Sequence, residues 1–397
     1  DKSILIVRTK TTVKAFHNSC RHRGVQFASG HGNCERTGFV CPFHGWRWNM
    51  DGENTFVFSK QIFSEKLLDK AEIALVPCRV ETWGGCAFIN FDDKAPSLLD
   101  SLGPVAKRLD ARHVEKLKVE AWHAAILPTN WKTAMEAFME GYHVMRTHPQ
   151  LHELTSSNLN KFGNDSGGGV SPADPKTTRE WLNYSIDMIG RLHTGMGGMV
   201  DAHEVAIANS LRKMELPDDM QAAVMAFYGR FNQEITDQKR AMGAPVFDLN
   251  HVAATEEFHG VEFMFPHYFL LPIFSAMSSY RIRPLTPETC LFEIWSLALF
   301  PEDEHREPPV FPELIPHDDP RYPEIPRQDY SNLPLQQLGL HAKGFEYMRL
   351  SKDMEGMISN YHRLIDGYLA GVEPARLAKA SQAVNSGYEC PIFDIGL

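Results

Sequence analysis

Two short loops near the start of the chain, Cys20-x-His22 and Cys41-x₂-His44, each offer one thiolate and one imidazole. A metal centre that takes all four donors pins the two loops together, and this constrains the first part of the chain more than any other feature. A mixed set of two sulfurs and two nitrogens suits structural zinc, or a [2Fe–2S] centre in which two histidines replace two cysteines on one iron. The flanks favour the cluster. Pro42, Gly45 and the glycines at 24, 30 and 32 let backbone N–H groups approach the sulfurs, and such hydrogen bonds tune a redox centre. Zinc remains open on these residues alone. Cys34, Cys78 and Cys86 have no partner at ligand spacing and read as buried small hydrophobes.

A second set of donors lies in residues 133–151. Glu136, Glu140 and His143 stand at helical spacing and are expected to share one helix face. His148 would be rotated off that face, but it precedes Pro149, which disfavours the α region, so the helix is expected to end there. Two imidazoles converging at a helix end can bind a metal. One carboxylate from elsewhere would complete a facial triad, the ligand set of non-haem Fe(II) with positions open for O₂. The plainer alternative is a helix carrying two surface histidines.

At 397 residues the chain has room for two domains or one large one. Its net charge of −10, with no basic run, argues against nucleic acid or an anionic membrane as partner. No apolar stretch is long enough to span a bilayer; the most apolar, around Phe263 to Met277, is interrupted by Pro266, His267 and Pro272. No secretory signal opens the chain. Seven cysteines, an odd number in a long chain, do not make a disulfide scaffold. A cytoplasmic enzyme is the expectation. Asp1 is not a methionine and a strand-like run follows at once, so a natural lead-in is expected to be missing.

Residues 1–100 read as β-rich, with strand-like runs at Ile4–Val7, Val13–Asn18, Ile73–Val76 and Cys86–Phe91. The charged stretch Asp92–Leu109, with Pro96 and Pro104, reads as a boundary, giving domains at 1–100 and 105–397. Val119–Ala125 reads as a strand and Thr129 or Asn130 as a helix N-cap. Residues 163–175 are a loop by composition, flanked on the far side by helices expected at Arg179–His193 and Pro217–Lys239. The Gly/Met stretch between those helices is no dinucleotide fingerprint, since it follows no strand. Glu262–Leu271, Ala276–Arg283 and Leu291–Phe300 suggest an antiparallel sheet, on which Arg281 and Arg283 share a face and either bind a carboxylate or are solvated. The proline-rich residues 301–334 read as a long extended connection.

Leu338–Leu369 reads as the last long helix, with Leu350, Met354, Met357, Ile358, Tyr361, Leu364, Ile365 and Tyr368 on its apolar stripe. Asp353 falls on that stripe. A carboxylate on a buried face is costly unless it is paired or coordinates a metal, so Asp353 is the expected third ligand beside His143 and His148. Glu136 is expected to orient a ligand, and Tyr142 and Trp131 to serve in packing.

CRHRG followed by CPFHGW resembles the Rieske iron–sulfur motif, and with the Tyr-His and His-x₄-His elements behind it the whole chain resembles the α subunit of Rieske non-haem iron aromatic-ring-hydroxylating oxygenases. The resemblance implies an α+β architecture: an all-β Rieske domain, then a catalytic domain of the helix-grip type with an antiparallel sheet wrapped by helices. It implies that Cys20 and Cys41 hold one iron of the [2Fe–2S] cluster and His22 and His44 the other. It places the mononuclear Fe(II) on His143, His148 and a carboxylate of a C-terminal helix, in keeping with Asp353. It makes Glu140, three residues before the first iron histidine, the carboxylate that bridges the two centres across neighbouring subunits; the family more often has Asp there. O₂ is the implied co-substrate, and NAD(P)H acts only through a separate reductase or ferredoxin, because the chain shows no reductase module. A homotrimer is implied, with or without a β subunit.

The implied reaction is hydroxylation, with cis-dihydroxylation of a hydrophobic aromatic or alicyclic substrate as the leading form and a monooxygenase or demethylase as the runner-up. A non-catalytic Rieske electron carrier and a zinc-stabilised binding module are the more distant alternatives. The Met- and aromatic-rich stretches, Phe138 and Met139 among them, suit a flat apolar substrate and equally an ordinary core.

Overall fold

The computed structural model describes residues 2–396 except 35, 37, 153–174, 197–198, 257–258, 353 and 386–391, and the side chains of residues 145, 149 and 152. The chain divides into two compact units, Asp1–Asp100 and Ser101–Leu397.

In the first unit, strands β1 (Ile4–Arg8), β2 (Val13–His17), β6 (Pro77–Trp83) and β7 (Cys86–Asn90) form an antiparallel sheet in the order β1-β2-β6-β7. A second sheet holds the short strands β3 (Phe39–Val40), β4 (Arg47–Trp48) and β5 (Asn54–Phe56). Val7, Phe16, Phe39, Trp46 and Trp48 form the core together with Cys20 and Cys41. Trp48 is wholly buried, and its indole N–H finds the Ile73 carbonyl at 2.8 Å, so burial leaves no polar atom unpaired there. Cys78 is buried as expected, but Cys34 is half-buried and Cys86 is exposed. Cys86 opens strand β7 beside the Gly84-Gly85 turn, where neither face is covered.

The second unit is built on a six-stranded sheet of order β13-β8-β12-β11-β10-β9, comprising β8 (Lys118–Leu127), β9 (Glu262–Met264), β10 (Tyr268–Ile273), β11 (Ala276–Thr286), β12 (Thr289–Ala298) and β13 (Glu313–Leu314). All neighbours are antiparallel except β13 with β8. Side chains alternate across a sheet. Phe269, Tyr280, Ile282 and Phe292 therefore share the core face, where Phe269 and Tyr280 stack at 4.5 Å. Arg281, Arg283 and Glu293 take the other face. Both arginines bond the fully buried Glu293 carboxylate at 2.9 Å, so the carboxylate they bind is the chain's own.

Among the described residues, six of the second unit's helices bear on the sheet and the ligand turns. They are α1 (Trp131–Glu136), α2 (Val144–Thr147), α3 (Thr178–Met196), α4 (Met220–Ala241), α5 (Glu324–Leu340) and α6 (Gly356–Leu369). Helices α3 and α4 build an apolar cluster of their own; Phe227, Phe231 and Ile235 repeat every four residues along one face of α4. Met139, Phe263, Met357 and Tyr361 pack into the core on the sheet, whereas Met225 is exposed.

Three expectations about helices are corrected. The helix begun by the Asn130 cap stops at Glu136 and does not run on to His148. The Glu140 carboxylate accepts the backbone N–H of His143 at 2.9 Å and caps the next turn, so Glu140 and His143 lie in a capped turn between α1 and α2 and not on one continuous helix. The extended connection expected over 301–334 gives way to α5 from Glu324 onward. Pro326 lies in its first turn, where a missing N–H costs nothing, and Pro334 is tolerated inside it. The helix expected over Leu338–Leu369 is two helices: α5 ends at Leu340, the chain turns through Gly344 at φ +99°, and α6 starts at Gly356. The loop expected at 163–175 falls, up to residue 174, outside the described residues, as does Asp353.

Candidate metal centres

In the first unit the two ligand loops are built alike. The N–H of Cys20 bonds the carbonyl of Val25 and the N–H of Gly24 bonds the carbonyl of Cys20; the N–H of Cys41 bonds the carbonyl of Trp46 and the N–H of Gly45 bonds the carbonyl of Cys41. Each loop closes on a glycine four residues after its cysteine, at φ +76° for Gly24 and +70° for Gly45, a conformation a side chain would strain. The two thiols face each other and are almost fully buried. Burial pushes the Cys20 thiol up, the N–H groups of His22 and Arg23 draw it down, and Cys41 pushes it up again, with the net shift upward. Two buried thiols left as thiols would gain nothing from those N–H donors; a thiolate bound to iron would.

The two imidazoles sit 4.7 Å apart, centre to centre. His22 is stacked on Trp46 at 5.0 Å with the planes 6° apart, and Phe63 meets it edge-on. Burial, His44 and Arg23 hold the His22 ring below its ordinary pKa, which keeps it neutral and able to ligate. The donor set thus fits a cluster held by two sulfurs and two nitrogens.

In the second unit His143, His148 and Asp329 present one ligand atom each within 4.8 Å of one another. His148 closes α2 outside helical geometry, at φ −119° and ψ 62°, immediately before Pro149. Asp329 Oδ1 lies 3.0 Å from Nε2 of His148 and 3.7 Å from Nε2 of His143. On the far side of each ring, Nδ1 has its own acceptor: Glu140 Oε1 at 2.6 Å for His143 and Gln328 Oε1 at 2.7 Å for His148. A carboxylate oxygen or an amide oxygen can only accept, so each ring offers its Nδ1 proton there, and with a metal held between the rings and Asp329 the lone pair of each Nε2 would face it. Burial would lower the pKa of His143, but Glu140, with Asp329 adding to it, outweighs burial and holds the ring above its ordinary value. Asp329 and His148 are both buried. Two imidazole nitrogens and one carboxylate on one side of a centre is the set that suits non-haem Fe(II).

The third member of this cluster is Asp329, on α5, a residue the sequence reading passed over; Asp353 lies outside the described residues. The signal was present. Ile325, Asp329, Leu333 and Gln337 repeat every four residues and are all buried, but the prolines among them spoke against a helix. Glu136 does not touch His143. Its carboxylate meets His362 Nε2 at 2.6 Å. Trp131 packs edge-on against Tyr361, while Tyr142, expected to pack, is exposed because it sits in the turn between α1 and α2. A cavity of about 310 Å³ opens at the cluster, lined by His143, Asp329, Glu136, Glu140, Glu355 and the cationic Arg349 on the polar side and by Leu333, Phe345, Met348, Leu350 and Ile358 on the apolar side.

The profile of the ring hydroxylating alpha subunit (catalytic domain) matches residues 114–371, and that of the Rieske [2Fe-2S] domain matches residues 1–57. The chain belongs to the Rieske oxygenase α subunits. Among its relatives, the carnitine monooxygenase oxygenase subunit of Escherichia coli (strain K12) is 38% identical over 151 residues, which is 37% of this chain and 40% of that protein. The large oxygenase component of the naphthalene 1,2-dioxygenase system of Pseudomonas fluorescens is 30% identical over 243 residues, 60% of this chain and 50% of that protein. The α subunit described here therefore spans half or less of the length of these relatives.

Among solved structures, naphthalene 1,2-dioxygenase with indole bound in the active site matches with a TM-score of 0.58 at 18% identity, covering 98% of this chain and 86% of that one. A quaternary ammonium Rieske monooxygenase in complex with L-carnitine matches with a TM-score of 0.53 at 19% identity, covering 92% and 82%. At such identities the likeness shows the fold. Membership of the family brings two cofactors to this α subunit, a Rieske [2Fe–2S] cluster and a mononuclear iron. Among the described residues no helix is long and apolar enough to cross a membrane.

Proposed function

We propose that this chain is the terminal oxygenase of a multicomponent system and hydroxylates a small organic substrate with O₂. The observation that carries the reading is the inward aim of His143 Nε2 and His148 Nε2 beside Asp329, with Glu140 behind His143. When bound, Fe(II) on these three residues supplies O₂-activating redox chemistry, and a cluster on Cys20, His22, Cys41 and His44 supplies electrons singly. Imidazole ligation raises the cluster potential above that of an all-thiolate ferredoxin, which suits electrons taken from a separate reductase or ferredoxin.

The chain's own residues do the positioning. Glu140 holds the Nδ1 proton of His143 and caps the turn that carries it. In the homotrimer that we infer, Glu140 is also the link from His143 to the cluster histidine of a neighbouring chain. Leu333, Phe345, Met348 and Ile358 form the apolar wall against which a substrate would rest and from which water would be excluded. A hydrophobic aromatic or alicyclic substrate fits that wall, and with it we infer a role in aromatic hydrocarbon catabolism in the cytoplasm.

A second reading, monooxygenation of a quaternary ammonium compound, is favoured by the other wall. Glu136, Glu140 and Glu355 bring carboxylates to the same cavity, and a cation with methyl groups would meet both faces. The relatives named for carnitine monooxygenase give this reading its support.

An EPR spectrum of the dithionite-reduced protein, with total iron on the same sample, tests the centres. The expected result is a histidine-ligated [2Fe–2S] signal with about three irons per chain; bound zinc and no signal would overturn the oxygenase reading. Product analysis under labelled O₂, with a surrogate reductase and a panel containing naphthalene and carnitine, separates the two substrate classes and counts the oxygen atoms delivered.

A further inference from the structure

His143 and His148 are held from behind in different ways. His143 has a carboxylate on its Nδ1; His148 has the neutral amide of Gln328, the residue directly before Asp329 on α5. An amide offers an oxygen from one end and an NH₂ group from the other. Only the oxygen end can accept the Nδ1 proton of His148 and so leave Nε2 free. If the amide turned over, its NH₂ would face Nδ1 and favour the other tautomer, with the proton on Nε2 where the metal must bind.

A second amide pairs with Gln328. Gln150 donates from Nε2 to Gln328 Oε1 at 2.8 Å and accepts from Gln328 Nε2 at 3.3 Å. Gln328 Oε1 therefore receives two N–H groups, one from His148 and one from Gln150, and turning Gln328 alone would place NH₂ against NH₂, so it can turn only if Gln150 turns with it. The same contacts tie the segment holding His148 and Gln150 to the segment holding Gln328 and Asp329. Two ligands from distant parts of the sequence are thus locked by one four-residue clasp.

We propose that Gln150 and Gln328 are positioning residues that clamp the tautomer and ring orientation of His148, making it a metal ligand without adding charge. The inference rests on the reading of His143, His148 and Asp329 as an iron site.

The test is iron affinity, read without turnover. The mononuclear iron is stripped from the intact protein with a chelator under conditions that keep the cluster's visible spectrum. Fe(II) is then titrated back in competition with the chelator. Partners of this kind set affinity by roughly ten- to a hundredfold, so Gln328→Leu is expected to weaken binding by that factor. Gln328→Glu keeps an acceptor at Nδ1 and is expected to bind within about threefold of the parent, a rescue that a packing role would not give. Gln150→Ala, which leaves Gln328 free to turn, is expected to fall between the two. Equal affinity for the parent and the Leu variant, or equal losses for Leu and Glu, would overturn the clamp alone. A parent protein that takes up no Fe(II) would overturn the iron site and the clamp with it.

Discussion

Asp329 Oδ1 stands 3.0 Å from Nε2 of His148, although the two residues come from widely separated segments of the chain. A buried carboxylate this close to two imidazoles has to be matched by a proton on a ring or by a metal that all three share, and the mononuclear iron of this family is the match the triad fits. Asp329→Ala is therefore expected to empty the mononuclear site, removing about one iron per chain and all turnover, with the red-brown colour of the cluster kept. Asp353→Ala, made alongside it, is expected to retain iron. Metal analysis on the two variants decides the matter: full iron in the Asp329 variant with loss in the Asp353 variant would return the third ligand to the position expected from the sequence.

Glu140 makes two bonds to one residue, accepting both the Nδ1 and the backbone N–H of His143. Glu140→Gln can keep an acceptor for the ring but loses the charge, and bonds to an ionised acceptor are about twice as strong as neutral ones. Both metals are expected to remain bound while single-turnover product formation slows by about tenfold or more, the equivalent of roughly 1.4 kcal/mol in the barrier. Rapid-quench product analysis on the pre-reduced enzyme reads this directly. Turnover at the parental rate would remove Glu140 from the electron path.

Much of this site could be read from the sequence because its donors are local. Cys20 to His44 form two loops whose glycines at positions 24 and 45 already announce tight turns, and His143 to His148 end at a proline. The strands β8, β11 and β12 were likewise visible as strand-like runs, while the single run at Glu262–Leu271 is two strands, β9 and β10, joined by a turn. Asp329 was hidden because its helix contains Pro326 and Pro334, and proline content outweighed a four-residue apolar repeat. Tertiary packing had the last word there: Tyr330 and Leu333 are buried against the sheet core, and that burial stabilises a helix whose intrinsic propensity is poor. The break after Glu136 was hidden for a related reason. A glutamate at helical spacing looks like helix until its side chain is seen capping the following turn.

Cys41 is nearly fully buried beside Cys20, within a unit that has its own apolar core. Removing one thiolate of a shared cluster removes the cluster, but the second unit has a separate core and its own ligands. Cys41→Ala is expected to bleach the visible spectrum and leave about one iron per chain at His143, His148 and Asp329. A variant that stays coloured would show that Cys41 is no ligand.

His267 sits in the turn between β9 and β10, 6.5 Å edge-on from Trp131. Burial, with Arg281 and Arg283 adding to it, pushes its pKa down to about 4 from an ordinary 6.5. Between those two values the unfolded chain binds a proton that the folded chain refuses, so stability falls as pH drops from about 6.5 to about 4 and levels off below that. Over the full window this one group accounts for about 3 kcal/mol. His267→Gln does not titrate. Its melting temperature, followed by circular dichroism at several pH values from 7 to 4, is expected to fall less steeply on acidification than that of the parent, by a few degrees across the window. Two parallel curves would mean that His267 takes up its proton without leaving its place, and the two arginines would then be screened from it by Glu293.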